Sequence, residues 1–316
     1  MENRIFEMNS QKQYKQIILG VLVGASLMYG CKEEEAVVEE TPCPKITWYA
    51  DADLDGLGDP NVSISDCIQP EGYVENSDDK VDAKASSINV PMVFKVTGEN
   101  CPPCGGWGWT AFTDLVDRYQ GGKAFSWANY GSGFSNGYFR NQEAFPTMQA
   151  IQDRFAPNSS KPNFVVNGKN YITSSANAQT AADAFLLQNA PVGMVMSSTI
   201  EGDQLIIHAE AEAFESVSGT YVLGAYLIED KAVGPQSGPI GANGDVEHHN
   251  VMRGSLSDNA WGEVITESGL SAGTKYEKTF TMDIPNGYNR ENFSYGLIVW
   301  KRISTAHVFV NAYATQ

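Results

Sequence analysis

Gly98-Glu99-Asn100-Cys101-Pro102-Pro103-Cys104 stands between two segments of different periodicity. Before it, Val90-Pro91-Met92-Val93-Phe94-Lys95-Val96-Thr97 is rich in β-branched and aromatic residues and reads as a strand. After it, Trp109, Phe112, Val116 and Tyr119 recur at helical spacing. The order is strand, paired cysteines, helix. A helix N-terminus offers unpaired N–H groups and the positive end of a dipole, and both stabilise a thiolate. Pro102 and Pro103 restrict the turn, and neither needs a free N–H this early in a helix.

That order resembles the thioredoxin-like fold. A second feature carries the resemblance: Lys161-Pro162-Asn163-Phe164-Val165-Val166-Asn167-Gly168 follows a helical segment in which Phe145, Met148, Ile151 and Phe155 share a face. Residues 125–130 supply the intervening strand, and residues 179–189 a closing helix with Ala182, Phe185 and Leu186 inward. The resemblance implies an α/β thioredoxin-like domain over residues 88–190. It implies Cys101 as the exposed nucleophile, Cys104 as the resolving thiol, and Pro162 as a cis proline lying against the pair. Three departures touch the tuning. Lys95 stands where thioredoxins carry a buried Asp, and there an ammonium favours thiolate. Asn100 replaces the usual Trp, and Gly105, Gly106 and Gly108 loosen the helix start by roughly 1 kcal/mol each relative to Ala. A permanent disulfide staple is the alternative, and a zinc half-site lacks a second cysteine pair.

From residue 191 the pattern changes to strands at about residues 194–200, 204–214, 220–229, 274–284, 292–301 and 306–312, which suggests an antiparallel all-β sandwich over residues 191–316. The stretch 233–258 is too long for a hairpin and contains Glu247-His248-His249-Asn250-Val251-Met252-Arg253. Adjacent histidines on a strand point to opposite faces, so one metal ion on both is awkward. The plainer reading is an ordered loop packed against the first domain, with Arg253 paired to a carboxylate. With Thr97-Gly98 before the cysteines, this segment and Trp261-Gly262-Glu263, the chain resembles the twenty-eight-kilodalton outer-membrane-protein-related lipoprotein family over residues 88–316. The resemblance implies a thioredoxin fold followed by an all-β immunoglobulin-like sandwich in an outer-membrane lipoprotein, and leaves its substrate open.

Upstream, Asp51, Asp53, Asp55 and Asp59 alternate with other residues in Trp48-Tyr49-Ala50-Asp51-Ala52-Asp53-Leu54-Asp55-Gly56-Leu57-Gly58-Asp59-Pro60. Such a loop wraps oxygen ligands around a hard cation such as Ca²⁺. Val62 replaces the Glu an EF-hand would need, and no helices flank the loop. Instead the segment through Cys67-Ile68-Gln69-Pro70-Glu71-Gly72-Tyr73-Val74 resembles the thrombospondin-type-3-like calcium-binding repeats of bacterial surface proteins. Those repeats continue into an acid-cysteine-acid-acid stretch, whereas this chain reads Asn76-Ser77-Asp78-Asp79-Lys80; the missing cysteine implies that Cys67 pairs with Cys43. A solvated acidic spacer is the alternative.

The chain begins with Arg4, Lys12 and Lys15, an apolar run over residues 17–28, and Tyr29-Gly30-Cys31. About twelve apolar residues are too few for a bilayer that needs about twenty. The arrangement resembles a lipoprotein signal over residues 1–30 with lipid on Cys31, a plain signal peptide being the alternative. Lys32-Glu33-Glu34-Glu35 resembles the tag that sends lipoproteins to the outer face of the outer membrane. Residues 31–87 form an irregular acidic tether: of the net charge of −17, residues 31–82 hold fifteen acidic against three basic side chains. Nucleic acid is a poor partner for this chain. Two functions are expected of it. One is a thiol-disulfide oxidoreductase acting on protein clients, an oxidase or isomerase because an outward-facing enzyme lacks an electron supply. The other is a calcium-stabilised surface-binding or adhesin-like protein that uses edge strands and exposed aromatics such as Trp261.

Overall fold

The structure is a computed structural model that describes residues 43–135, 137–242 and 244–316. The signal segment and Cys31 lie outside the described residues. The acidic segment is not irregular throughout. Ile46–Ala50 (β1), Ser63–Asp66 (β2) and Tyr73–Val74 (β3) form a sheet in the order β2-β1-β3, closed over Trp48, whose Nε1 donates to the Asp66 carbonyl at 3.1 Å. Trp48 is buried as an aromatic anchor, and carboxylates cap backbone amides around it.

Met92–Val96 (β4) leads through the cysteine turn into Trp107–Arg118 (α1), followed by Phe125–Asn129 (β5), Phe145–Phe155 (α2), Asn163–Val166 (β6), Lys169–Tyr171 (β7) and Ser175–Leu186 (α3). β4 pairs parallel with β5 and antiparallel with β6, and β6 pairs antiparallel with β7. Successive residues of β4 face opposite sides of the sheet. Phe94 stacks on Trp127 and meets Phe155 of α2, while Lys95 points at Trp109 and Phe112 of α1. The helices therefore cover both faces of β4. α3 starts earlier than its apolar spacing implied because Ser174 caps it, its hydroxyl accepting from the Asn177 amide.

The remaining strands are Val192–Glu201 (β8), Gln204–Ala213 (β9), Val217–Ser218 (β10), Thr220–Glu229 (β11), Ala232–Gly234 (β12), Val246–His248 (β13), Val251–Ser255 (β14), Glu263–Thr266 (β15), Gly269–Leu270 (β16), Lys275–Asp283 (β17), Phe293–Ile303 (β18) and Ala306–Ala314 (β19). The sheet β17-β9-β8 packs on β11 and β18 through Leu205, Ile207, Ala209 and Phe280 against Tyr221, Leu223, Leu227, Leu297 and Val299. The alternate residues Val222, Tyr226, Ile228, Ile298 and Trp300 belong to the other core, with Phe94, Trp127 and Phe155. Buried on both faces, β11 reads as a nearly unbroken apolar run, Tyr221-Val222-Leu223-Gly224-Ala225-Tyr226-Leu227-Ile228.

The expected boundary at residue 190 is crossed by a single nine-stranded sheet in the order β19-β18-β11-β14-β5-β4-β6-β7, with β15 also on β11. The link is β14, antiparallel to β11 and parallel to β5 at Val251↔Ala128. Gln316 adds a second stitch: its side chain exchanges hydrogen bonds with both backbone groups of Ser126. Residues 44–316 form one compact unit. The stretch 233–258, expected as a loop, thus contains most of β12 and all of β13 and β14. Among the described residues no helix is long and apolar enough to cross a membrane.

Candidate functional site

Cys101 and Cys104 are joined as a disulfide in the turn between β4 and α1. The Lys161–Pro162 peptide is cis, and the Pro162 ring lies against the start of α1, where a Cβ on Gly108 would come within 2.3 Å of Pro162 Cγ. Gly108 is a close-approach glycine, which explains a residue otherwise unfavourable in a helix. Lys161 completes this corner: its ammonium donates to the carbonyls of Thr97 at 2.8 Å, Gly131 at 3.1 Å and Gly133 at 2.6 Å, while burial pulls its pKa down to about 7.

Cys101 is not exposed as expected. It is 1% accessible and Cys104 is fully buried. The cover comes from residues 235–241, between β12 and β13 and including the 3-10 turn Pro239–Gly241. The Ser237 amide donates to Glu99 O at 2.7 Å and the Ile240 amide to Gly105 O at 3.1 Å. The Gln236 side-chain amide lies 3.3 Å from each of the carbonyls of Gly98, Glu99 and Cys101. Glu99 fastens the opposite wall, its carboxylate accepting from the amides of Gly137 at 2.7 Å and Phe139 at 2.8 Å. Nothing in Gly234-Pro235-Gln236-Ser237-Gly238-Pro239 announces this role beyond a density of turn formers.

The paired histidines diverge. His248 is fully buried; its Nε2 donates to Gly234 O at 3.1 Å, since a carbonyl only accepts, so Nδ1 accepts from the Tyr130 hydroxyl at 2.6 Å. Burial pulls His248 down to about 4, leaving it neutral, and pushes the Tyr130 phenol far up. His249 Nδ1 instead meets Asp230 Oδ1 at 3.1 Å. Arg253 pairs with a carboxylate as expected, Glu229, at 2.6 Å with both side chains buried. Trp261 is not an exposed contact residue: its ring stacks on His307 at 4.5 Å and meets Trp300 edge-on.

In the acidic loop, Asp51, Asp53 and Asp55 bring ligand atoms within 4.8 Å of one another, and Asp53, Asp79 and Asp82 form a second such group. Asp59 belongs to neither; its Oδ1 accepts from the amide and side chain of Asn61. Lys275 of β17 reaches into the cluster, 2.6 Å from Asp53 and 3.4 Å from Asp55, and also meets Glu210 of β9 at 3.2 Å. Asp79 is 7% exposed and its Oδ2 is buried without a hydrogen-bond partner. Burial, with the nearby charges of Asp55, Asp53 and Asp82, raises its pKa. Asp79 and Asp82 lie more than twenty residues after Asp53, so no local spacing links them to it; the chain brings them together by folding back, with Asn76 Nδ2 donating to the Gly56 carbonyl at 2.8 Å. Cys43 is exposed and Cys67 half-buried, directly after β2.

Fold and site define a β-rich protein in which a helix-bearing half and a sandwich share one sheet, with a buried disulfide at a helix entrance. Residues 150–310 match the family described as outer membrane protein Omp28, and the chain belongs to that family. The fold is shared with HBP35 of Porphyromonas gingivalis, at 15% identity and a TM-score of 0.58 over 73% of this chain and 76% of that one. A domain of the outer membrane lipoprotein Omp28 from Porphyromonas gingivalis aligns at 16% identity and a TM-score of 0.26, over 39% of this chain and 89% of its own. No curated protein sequence matches the chain.

Proposed function

We propose that this outer membrane family member is held by lipid on Cys31, faces the cell exterior, and exchanges disulfides with protein clients through a thioredoxin-like half. The observation that supports this reading is the Cys101–Cys104 disulfide at the entrance of α1 with Pro162 packed beside it. In the oxidising direction a client thiolate attacks Cys101 Sγ and Cys104 leaves as thiolate. A second client thiolate then attacks the client sulfur of the mixed disulfide and releases Cys101. The client gains a disulfide, and the pair takes up its two electrons. Formation of native ribonuclease from the reduced, unfolded chain by the wild type, lost in Cys101→Ser, is the expected result; equal inactivity of both removes the reading.

A second reading is favoured by the orphaned Asp79 oxygen. Here the protein is a calcium-stabilised surface-binding module, clamped by a Cys43–Cys67 bridge, with Cys101–Cys104 as a staple. The donors suit the ion: hard carboxylates, several of them nearly buried, with one buried oxygen lacking any partner. Asp51, Asp53 and Asp55, joined by Asp79 and Asp82 in place of Asp59, would hold it. Calcium at a hundred times its Kd should stabilise the fold by about 2.7 kcal/mol. The thermal midpoint of the wild type should therefore rise with calcium, that of Asp59→Asn should rise as much, and that of Asp53→Asn should not move. An unmoved wild type removes the metal.

A further inference from the structure

We propose that the surface above Cys101–Cys104 is a binding site for an extended polypeptide, and that residues 235–241 of this chain are a built-in stand-in that occupies it and seals the pair. The inference rests on the disulfide-exchange reading and names the client's form. Two main-chain hydrogen bonds straddle the cysteines: Ser237 N–H to Glu99 O, two residues before Cys101, and Ile240 N–H to Gly105 O, directly after Cys104. Contacts of this kind hold a polypeptide by its backbone, whatever its side chains.

The fit is backbone against backbone. A Cβ on Gly105 would stand 2.1 Å from Ser237 O, and one on Gly238 would stand 2.3 Å from Pro102 O. A client in this seat therefore needs a small residue where Gly238 lies. Gln236 supplies side-chain recognition, its two N–H groups shared among the carbonyls of Gly98, Glu99, Cys101 and Ser237. Its Oε1 is buried with no partner, so the stand-in is seated imperfectly and leaves a rival segment something to improve on. Beside the seat, Trp107 and Phe134 are exposed to 44% and 53%, apolar surface suited to the side chains of an unfolded chain. While the segment is down, no client sulfur reaches Cys101.

The test is the rate at which dithiothreitol reduces Cys101–Cys104 in the intact folded protein, read by alkylation and mass spectrometry. Gln236→Ala removes the side-chain bonds, and Ser237→Pro removes the amide donated to Glu99. Each should be reduced about tenfold faster than the wild type, as expected when local opening is eased by one or two hydrogen bonds. A synthetic peptide with the sequence of residues 234–242, added in excess, should restore slow reduction to Gln236→Ala. That arm separates an emptied seat from a loosened fold, which the peptide would not protect again. Equal rates in all three proteins, or fast variants that the peptide leaves unprotected, overturn the stand-in. Faster, peptide-protected reduction in variants that remain inactive on reduced, unfolded ribonuclease upholds the stand-in and removes disulfide exchange.

Discussion

Lys95 on β4 and Arg253 on β14 are both interior, 2% and 4% exposed, yet the two regions treat the charge differently. Around Arg253 the protein has built a complete polar setting. Its Nε donates to Glu229 at 2.6 Å, the other Glu229 oxygen accepts from the Asn289 amide at 2.8 Å, and the Tyr288 ring centre lies 4.3 Å from the guanidinium carbon. Around Lys95 stand aromatic faces, with ring centres 5.3 Å away in Trp109 and 4.9 Å in Phe112, and burial lowers its pKa to about 7. A guanidinium does not give up its proton, so the fold must pair it; an ammonium can be neutralised instead. The strand that joins the two halves therefore carries a fixed charge, and the strand that leads to the cysteines carries a titratable one.

The largest test of this contrast is Glu229→Ala, which strands Arg253 in the core. It should lower stability by about 3–5 kcal/mol, measured by urea denaturation. Lys95→Met should do the opposite at pH 6. The folded pKa of Lys95, about 7, lies below the ordinary 10.5, so between those values the unfolded chain binds more protons and stability rises with pH. Below about pH 7 the whole penalty is present. Its removal should add a few kcal/mol there, at about 1.4 kcal/mol per pKa unit, and flatten the alkaline rise. A Lys95→Met variant less stable than wild type at pH 6 would break the contrast. The smallest effect belongs to His248, whose pKa falls from 6.5 to about 4 in the folded chain, so stability should decline as pH drops through that window. His248→Phe should erase that decline and, by leaving the Tyr130 hydroxyl without its acceptor, cost about 1–3 kcal/mol at pH 7.

What the sequence disclosed was local. The strand before Cys101, the helix after Cys104 and the apolar strands of the sandwich each rest on periodicity or turn chemistry within a few neighbours, whereas the cis Pro162 followed only from the thioredoxin resemblance. The carboxylate partner of Arg253 was foreseeable because a buried guanidinium demands one, although nothing picked out Glu229. The misses are long-range. Val251-Met252-Arg253-Gly254-Ser255 is short and holds an Arg and a Gly, so it reads as loop until β5 and β11 are known to flank it. The burial of Cys101 depends on a segment more than a hundred residues away whose own composition says only that it turns. Asp59 lies outside the acidic groups Asp51-Asp53-Asp55 and Asp53-Asp79-Asp82 because the loop coils, with Leu54 and Gly56 at positive φ, rather than running extended. Alternation along the chain is not convergence in space.

The position of β14 has a consequence for how the protein is made. Until the ribosome has passed Ser255, the edge of β5 that will receive Val251 has no neighbour, although β4 and β6 already flank one another. A half-finished chain thus presents an unpaired edge, the kind of surface through which nascent proteins stick to each other. Gln316 closes the same strand at Ser126, so β5 is sealed by a side chain 190 positions further along the chain, long after the strand itself has been made.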